Sequence, residues 1–149
     1  LALAGKKNAL YVASLSSLTE ASLLPGIREV LADIRAAEVK IGLASVSLNA
    51  PGILHALGIH DAFDFALMPP ALLFKTGPEI FLAACAGLDV RPEAAIGVED
   101  APAGVAAINA AGMLSVGIGS GLTHAGLQLH STQELTWKCL TDFWASRAY

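Results

Sequence analysis

Apolar and polar positions along the chain fall into two alternating periods. After Pro25-Gly26, the residues Ile27, Val30, Leu31 and Ile34 stand at i, i+3, i+4 and i+7, the stripe of a helix buried along one face. Residues 40–44 then form a short apolar run without helical spacing, as in a strand covered on both faces. The order recurs: strand 40–44, helix 50–57, strand 63–67, helix 78–87, strand 94–98, helix 102–111, strand 114–118. Such alternation with short connections predicts right-handed crossovers and an α/β fold built on a doubly wound parallel sheet. Residues 2–14 read as a further helix running into a turn at Thr19-Glu20. Near the other end, Trp137 and Trp144 share one face of a helix that also carries Phe143, a stripe suited to docking on the sheet.

Composition sharpens this picture. Hydrophobic residues make up 54% and charged ones 15%, which fits elements covered on both faces better than a half-exposed antiparallel sheet. With 149 residues there is room for one main core domain. No window holds the run of about eighteen apolar residues that a membrane-spanning helix needs, so no membrane partner is expected. A net charge of −4 without a Lys/Arg cluster gives no footprint for nucleic acid. Cys85 and Cys139 lie in apolar helical segments and read as buried free thiols, consistent with a cytoplasmic protein. The opening Leu1-Ala2-Leu3-Ala4-Gly5 lacks an initiating Met and the form of a signal peptide, so the chain is expected to be truncated.

In a doubly wound sheet the site lies beyond the carboxyl ends of the strands. Two of those ends are polar. Ser45-Val46-Ser47-Leu48-Asn49 follows strand 40–44 and offers hydroxyls and amides to a phosphate, although Ser and Asn are also the usual helix caps. Glu99 and Asp100 follow strand 94–98; side by side they repel unless a cation lies between them, and Mg²⁺ with its preference for oxygen is the economical choice. The competing reading is that Asp100 only caps the helix opening near Pro102. Lys75, in the connection before Pro78, is an ordinary solvated lysine alone, but beside Ser45 and the acidic pair it supplies a cation for a transferring phosphoryl group.

The stretches Leu24-Pro25-Gly26-Ile27-Arg28, Gly42-Leu43-Ala44-Ser45-Val46-Ser47-Leu48-Asn49-Ala50, Pro78-Glu79-Ile80-Phe81 and Ile96-Gly97-Val98-Glu99-Asp100-Ala101-Pro102-Ala103-Gly104 together resemble the haloacid dehalogenase superfamily, and within it the β-phosphoglucomutase family. The resemblance covers essentially the whole chain. It implies a Rossmann-type core at residues 21–149 and, at residues 1–20, a remnant of a helical cap. It also implies that Ser45 binds and Lys75 neutralises the phosphoryl group, that Glu99 and Asp100 hold Mg²⁺, and that Ser47 and Asn49 contact a small phosphosugar. Lys7 would meet that substrate from the cap side. The family interconverts β-glucose 1-phosphate and glucose 6-phosphate through a phosphoaspartyl enzyme. The complete protein is expected to be a monomer.

Two departures qualify the resemblance. The family opens with a strand ending in Asp-x-Asp-Gly, whose first Asp is the nucleophile. Nothing before Gly26 matches it, so the chain is expected to lack its first strand and most of its cap, and to be inactive alone. Asp61 and Asp64 have the wrong spacing and read as turn residues. Between Phe65 and Glu79 the likeness also collapses and then resumes, a pattern that single-base losses would leave through a local frame error. Two further functions compete with the mutase: a sugar-phosphate phosphatase of the same superfamily, and a noncatalytic remnant serving as a binding module. His55, His60, His124 and His130 share no metal spacing, and the run 116–121 lacks the pattern of a nucleotide loop, so neither is assigned a role.

Overall fold

Every strand–helix unit expected from residue 27 onward is present in the computed structural model, which describes residues 2–4, 19–45, 50–67 and 77–147. The helices are α1 (Ile27–Ala36), α2 (Ala50–Ala56), α3 (Glu79–Leu88), α4 (Pro102–Ala110) and α5 (Trp137–Ser146). The strands are β1 (Ala2–Ala4), β2 (Gly42–Ala44), β3 (Phe65–Leu67), β4 (Ile96–Glu99), β5 (Leu114–Ile118) and β6 (Leu127–Leu129). All pair in parallel, in the order β3-β2-β1-β4-β5-β6. Strand β6, which the sequence pattern did not reveal, extends the sheet beyond β5.

Two expectations about the start of the chain are corrected. Residues 2–4, read as part of a helix over 2–14, form β1, and this strand fills the position between β2 and β4 that was expected to be empty for want of a first strand. Alanine and leucine favour helices as isolated residues, but an apolar run also suits a central parallel strand, and here the unpaired edges of β2 and β4 supply partners for its backbone groups. Of the segment 1–20 assigned to a cap, Ala2–Ala4 therefore belong to the sheet, while residues 5–18 lie outside the described residues.

The sheet is covered on both faces. On one, Ile27, Val30, Leu31 and Ile34 of α1 pack with Ile41, Leu43, Val98, Val116, and Leu140 of α5. That burial is the predicted stripe realised. On the other face, Phe81, Ala84 and Cys85 of α3 pack with Ala107 and Ile108 of α4. Helix α4 can lie this close because Gly97 faces it: a Cβ there would stand 2.8 Å from Ile108. Helix α5 begins at Thr136, whose Oγ1 accepts the Cys139 amide at 3.0 Å, and its Trp137, Phe143 and Trp144 add to the α1 side of the core. Cys85 is buried and Cys139 half-buried, both as free thiols raised above the usual thiol range first of all by burial. Among the described residues no helix is long and apolar enough to cross a membrane.

Candidate functional site

The strand order reverses at β1: the chain adds β2 and β3 on one side of it and β4, β5 and β6 on the other. A crevice beyond the carboxyl ends at such a switch point is where open α/β sheets place ligands. The pairing registers Ala4 with Ala44 and Leu3 with Val98, which aligns Ala44, Ala4 and Glu99 across the sheet. Ser45 therefore stands just past the tip of β2, and Glu99 with Asp100 at the tip of β4, two strand spacings or roughly 10 Å apart. The topology places Ser45 and the Glu99–Asp100 pair, expected from the sequence to act together, at the carboxyl end of the sheet on either side of β1. Strand β1 lies between them without an acidic residue: residues 1–10 contain neither Asp nor Glu.

Ser45 is buried, with 5% of its surface exposed. At the other tip the Asp100 amide donates to Glu99 Oε1 at 2.8 Å, folding the Glu99 side chain back over the entry to α4. Gly104 makes this possible. A Cβ at that position would overlap the Glu99 side chain from Cγ to Oε2. Burial raises the Glu99 carboxyl, and a side-chain hydrogen bond with Asp100 and that neighbour's charge raise it further; the amides of Asp100 and Ala101 pull the other way, leaving it at about 7.

A desolvated carboxyl beside a second carboxyl is a place where a cation would be stabilised, and the donors offered are oxygens only. This fits Mg²⁺, which commonly takes one or two carboxylates and completes its shell with water and substrate phosphate. Among the described residues no group of three or more His, Cys, Asp or Glu side chains could hold a metal. Lys7, Ser47, Asn49 and Lys75 lie outside the described residues, as does most of the irregular stretch between Phe65 and Glu79.

Asp61 and Asp64 are turn residues, as expected, and Asp64 also ties the fold together: its Oδ2 accepts the Ile41 amide at 2.8 Å, and its Oδ1 lies 3.7 Å from Arg35 Nη1. Sequence reasoning gave Gly104 no role of its own. A glycine inside an alanine-rich helix costs about 1 kcal/mol against alanine, and that local penalty was the available signal of a close approach. His124 likewise had no role assigned from sequence, yet its Nε2 lies 3.0 Å from the Pro102 carbonyl oxygen. No local pattern marks that contact, because its partners are twenty-two residues apart.

Residues 4–112 match the family of haloacid dehalogenase-like hydrolases. The chain is 44% identical over 143 residues to the β-phosphoglucomutase of Bacillus subtilis (strain 168), a match spanning 93% of this chain and 63% of that enzyme. It is 31% identical over 128 residues to hexitol phosphatase B of Escherichia coli O157:H7, covering 79% and 58% respectively. Among solved structures, β-phosphoglucomutase from Clostridium difficile superposes with a TM-score of 0.87 at 40% identity, over 91% of this chain and 62% of the other. The chain thus spans less than two thirds of the length of each of these relatives, and aligns with the C-terminal portion of the Bacillus enzyme. A match over most of the sequence, joined to a parallel sheet with Glu99 and Asp100 at its switch point, places this chain among the haloacid dehalogenase-like hydrolases.

Proposed function

We propose that this chain carries the phosphate- and magnesium-binding part of a phosphosugar phosphoryl-transfer site of the β-phosphoglucomutase type. The observation that carries the reading is the placement of Ser45 and of the Glu99–Asp100 pair on either side of the switch strand. The 44% identity to the Bacillus enzyme supports the choice of substrate, β-glucose 1-phosphate and glucose 6-phosphate. In this reading Ser45 donates its hydroxyl to the transferring phosphoryl group and Lys75 offsets its charge. Ser47 and Asn49 orient the sugar, and Lys7 approaches it from the cap side. Glu99 and Asp100 would hold Mg²⁺, which when bound supplies positive charge to the phosphoryl oxygens.

The 149 residues contain no Asp-x-Asp pair, so the chain by itself is proposed to bind ligand without turning it over. The test compares two proteins. The chain alone, given β-glucose 1-phosphate, a trace of the bisphosphate and Mg²⁺, should form no glucose 6-phosphate. Fused behind the part of the Bacillus subtilis enzyme that it does not span, it should form glucose 6-phosphate. Release of inorganic phosphate without glucose 6-phosphate from the fusion would reject the mutase in favour of a phosphatase, the reading that likeness to hexitol phosphatase B supports. Turnover by the chain alone would reject the proposal of inactivity.

A further inference from the structure

We infer that His124 is a positioning residue for the Glu99–Asp100 tip, acting through the first turn of α4 and itself held in place by Asn109 and Ser115. The inference rests on the reading of Glu99 and Asp100 as metal ligands. It starts from Ser115, which is buried in β5 with 1% of its surface exposed. A hydroxyl so placed needs partners, and Ser115 has two: it accepts the Gly126 amide at 2.9 Å and donates to Asn109 Oδ1 at 2.7 Å. With its oxygen engaged, the Asn109 amide group is fixed in orientation, and its Nδ2 donates to the His124 carbonyl at 3.0 Å. The backbone of His124 is thereby pinned alongside α4.

From there the imidazole reaches the Pro102 carbonyl, 3.0 Å from Nε2. A carbonyl can only accept, so Nε2 must carry a proton in this contact. Pro102 begins α4 two residues after Asp100, and Gly104, which leaves room for Glu99, lies in the same turn. The connection between β5 and β6 is anchored elsewhere too, through buried Leu122 and the Ser115–Gly126 bond. Those anchors do not need the ring. The imidazole contact extends from this connection to the turn that shapes the metal tip, so its loss should loosen the tip and leave the fold in place.

The test uses the 149-residue chain with His124→Phe, His124→Asn, His124→Gln and Glu99→Gln, Mg²⁺ titrated by calorimetry at pH 8, and amide hydrogen exchange at Asp100 read by NMR. H124F keeps bulk but cannot donate, and should weaken Mg²⁺ binding about fivefold, the equivalent of one hydrogen bond. It should also speed Asp100 exchange by a similar factor, with the thermal midpoint of the metal-free chain little moved. H124Q can place an amide nitrogen where Nε2 stood and should restore both readings to within about twofold. Should H124F fail to fold, H124N, whose shorter amide falls short of Pro102, replaces it with the same expectation. Parent-like affinity and exchange in the non-donating variant, with binding lost in E99Q, would overturn the inference alone. Equal weakening by H124F and H124Q would also overturn it, because the hydrogen bond would then not be the cause. Parent-like Mg²⁺ binding by E99Q would overturn the metal assignment and the inference with it, a failure recognised without any His124 variant.

Discussion

Lowering the pH from 8 to 6 should strip Mg²⁺ from this chain by protonating one carboxyl. Glu99 titrates at about 7 instead of the ordinary 4.5, chiefly because it is buried and because Asp100 stands beside it. A divalent cation binds the carboxylate and competes with the proton. Apparent affinity should therefore be near its maximum at pH 8, fall by about half at pH 7, and lie about tenfold below maximum at pH 6, each further unit removing roughly another tenfold. A glutamate with an ordinary titration would show almost no change over that range. Calorimetric Mg²⁺ titrations at constant ionic strength, in two buffers of different ionisation enthalpy, would report both the affinity and the proton released on binding. The expected release is close to one proton per Mg²⁺ at pH 6 and close to zero at pH 8. Affinity that is flat from pH 6 to 8, with no proton release, would refute the assignment of Glu99 as the desolvated ligand.

The same shift sets a stability trend of defined sign. The folded state holds the Glu99 proton more tightly than the unfolded state, so Glu99 favours folding below about pH 4.5, and that contribution is lost as the pH rises through 7. At about 1.36 kcal/mol per unit, a shift of this size corresponds to an upper bound on the order of 3 kcal/mol. E99Q, which cannot ionise, should remove the trend, and the metal-free variant should be more stable than the parent chain at pH 8.

Three further substitutions probe the packing that supports the site. Gly104→Ala should displace the Glu99 side chain, with overpacking costing about 1–3 kcal/mol against a helix-propensity gain of up to about 1 kcal/mol; urea unfolding and Mg²⁺ titration should both register it, and unchanged Mg²⁺ affinity would count against the close approach. Asp64→Ala leaves the Ile41 amide at the mouth of β2 without its carboxylate acceptor and should destabilise by about 1–3 kcal/mol in urea, an effect that a change below about 0.3 kcal/mol would contradict. Glu38, held at φ 60° after α1, is expected to gain about 0.5–1 kcal/mol on replacement by glycine, measured as a raised unfolding midpoint with an unchanged urea slope.

The parts of the fold that were legible in the sequence share a cause: their signals are local. The α1 stripe is a spacing within eight residues, and the strands before Ser45 and Glu99 are short apolar runs that end in polar groups. Strand β1 was read as helix because its own residues do favour helices, and only the pairing edges of β2 and β4, some forty and ninety-five residues onward, decide otherwise. Strand β6 is three residues long, too short for a period of two to stand out, and it owes its conformation to pairing with β5.

The candidate site divides along the same line. Adjacent carboxylates on a strand tip announce themselves, since like charges that close together require an explanation wherever they occur. What makes Glu99 unusual is not its neighbour alone but its burial over α4, which depends on the missing side chain at Gly104. The turn containing that glycine is held in part by a histidine whose own support, Asn109 and behind it Ser115, is made of polar residues with no motif between them. Candidate ligands can thus be proposed from residue type and spacing, whereas the burial and hydrogen bonds that would set their affinity reside in contacts between elements that only the folded sheet brings together. That is why E99Q and H124F, one in a recognisable motif and one outside any, should both weaken Mg²⁺ binding, but only the first should abolish its pH dependence.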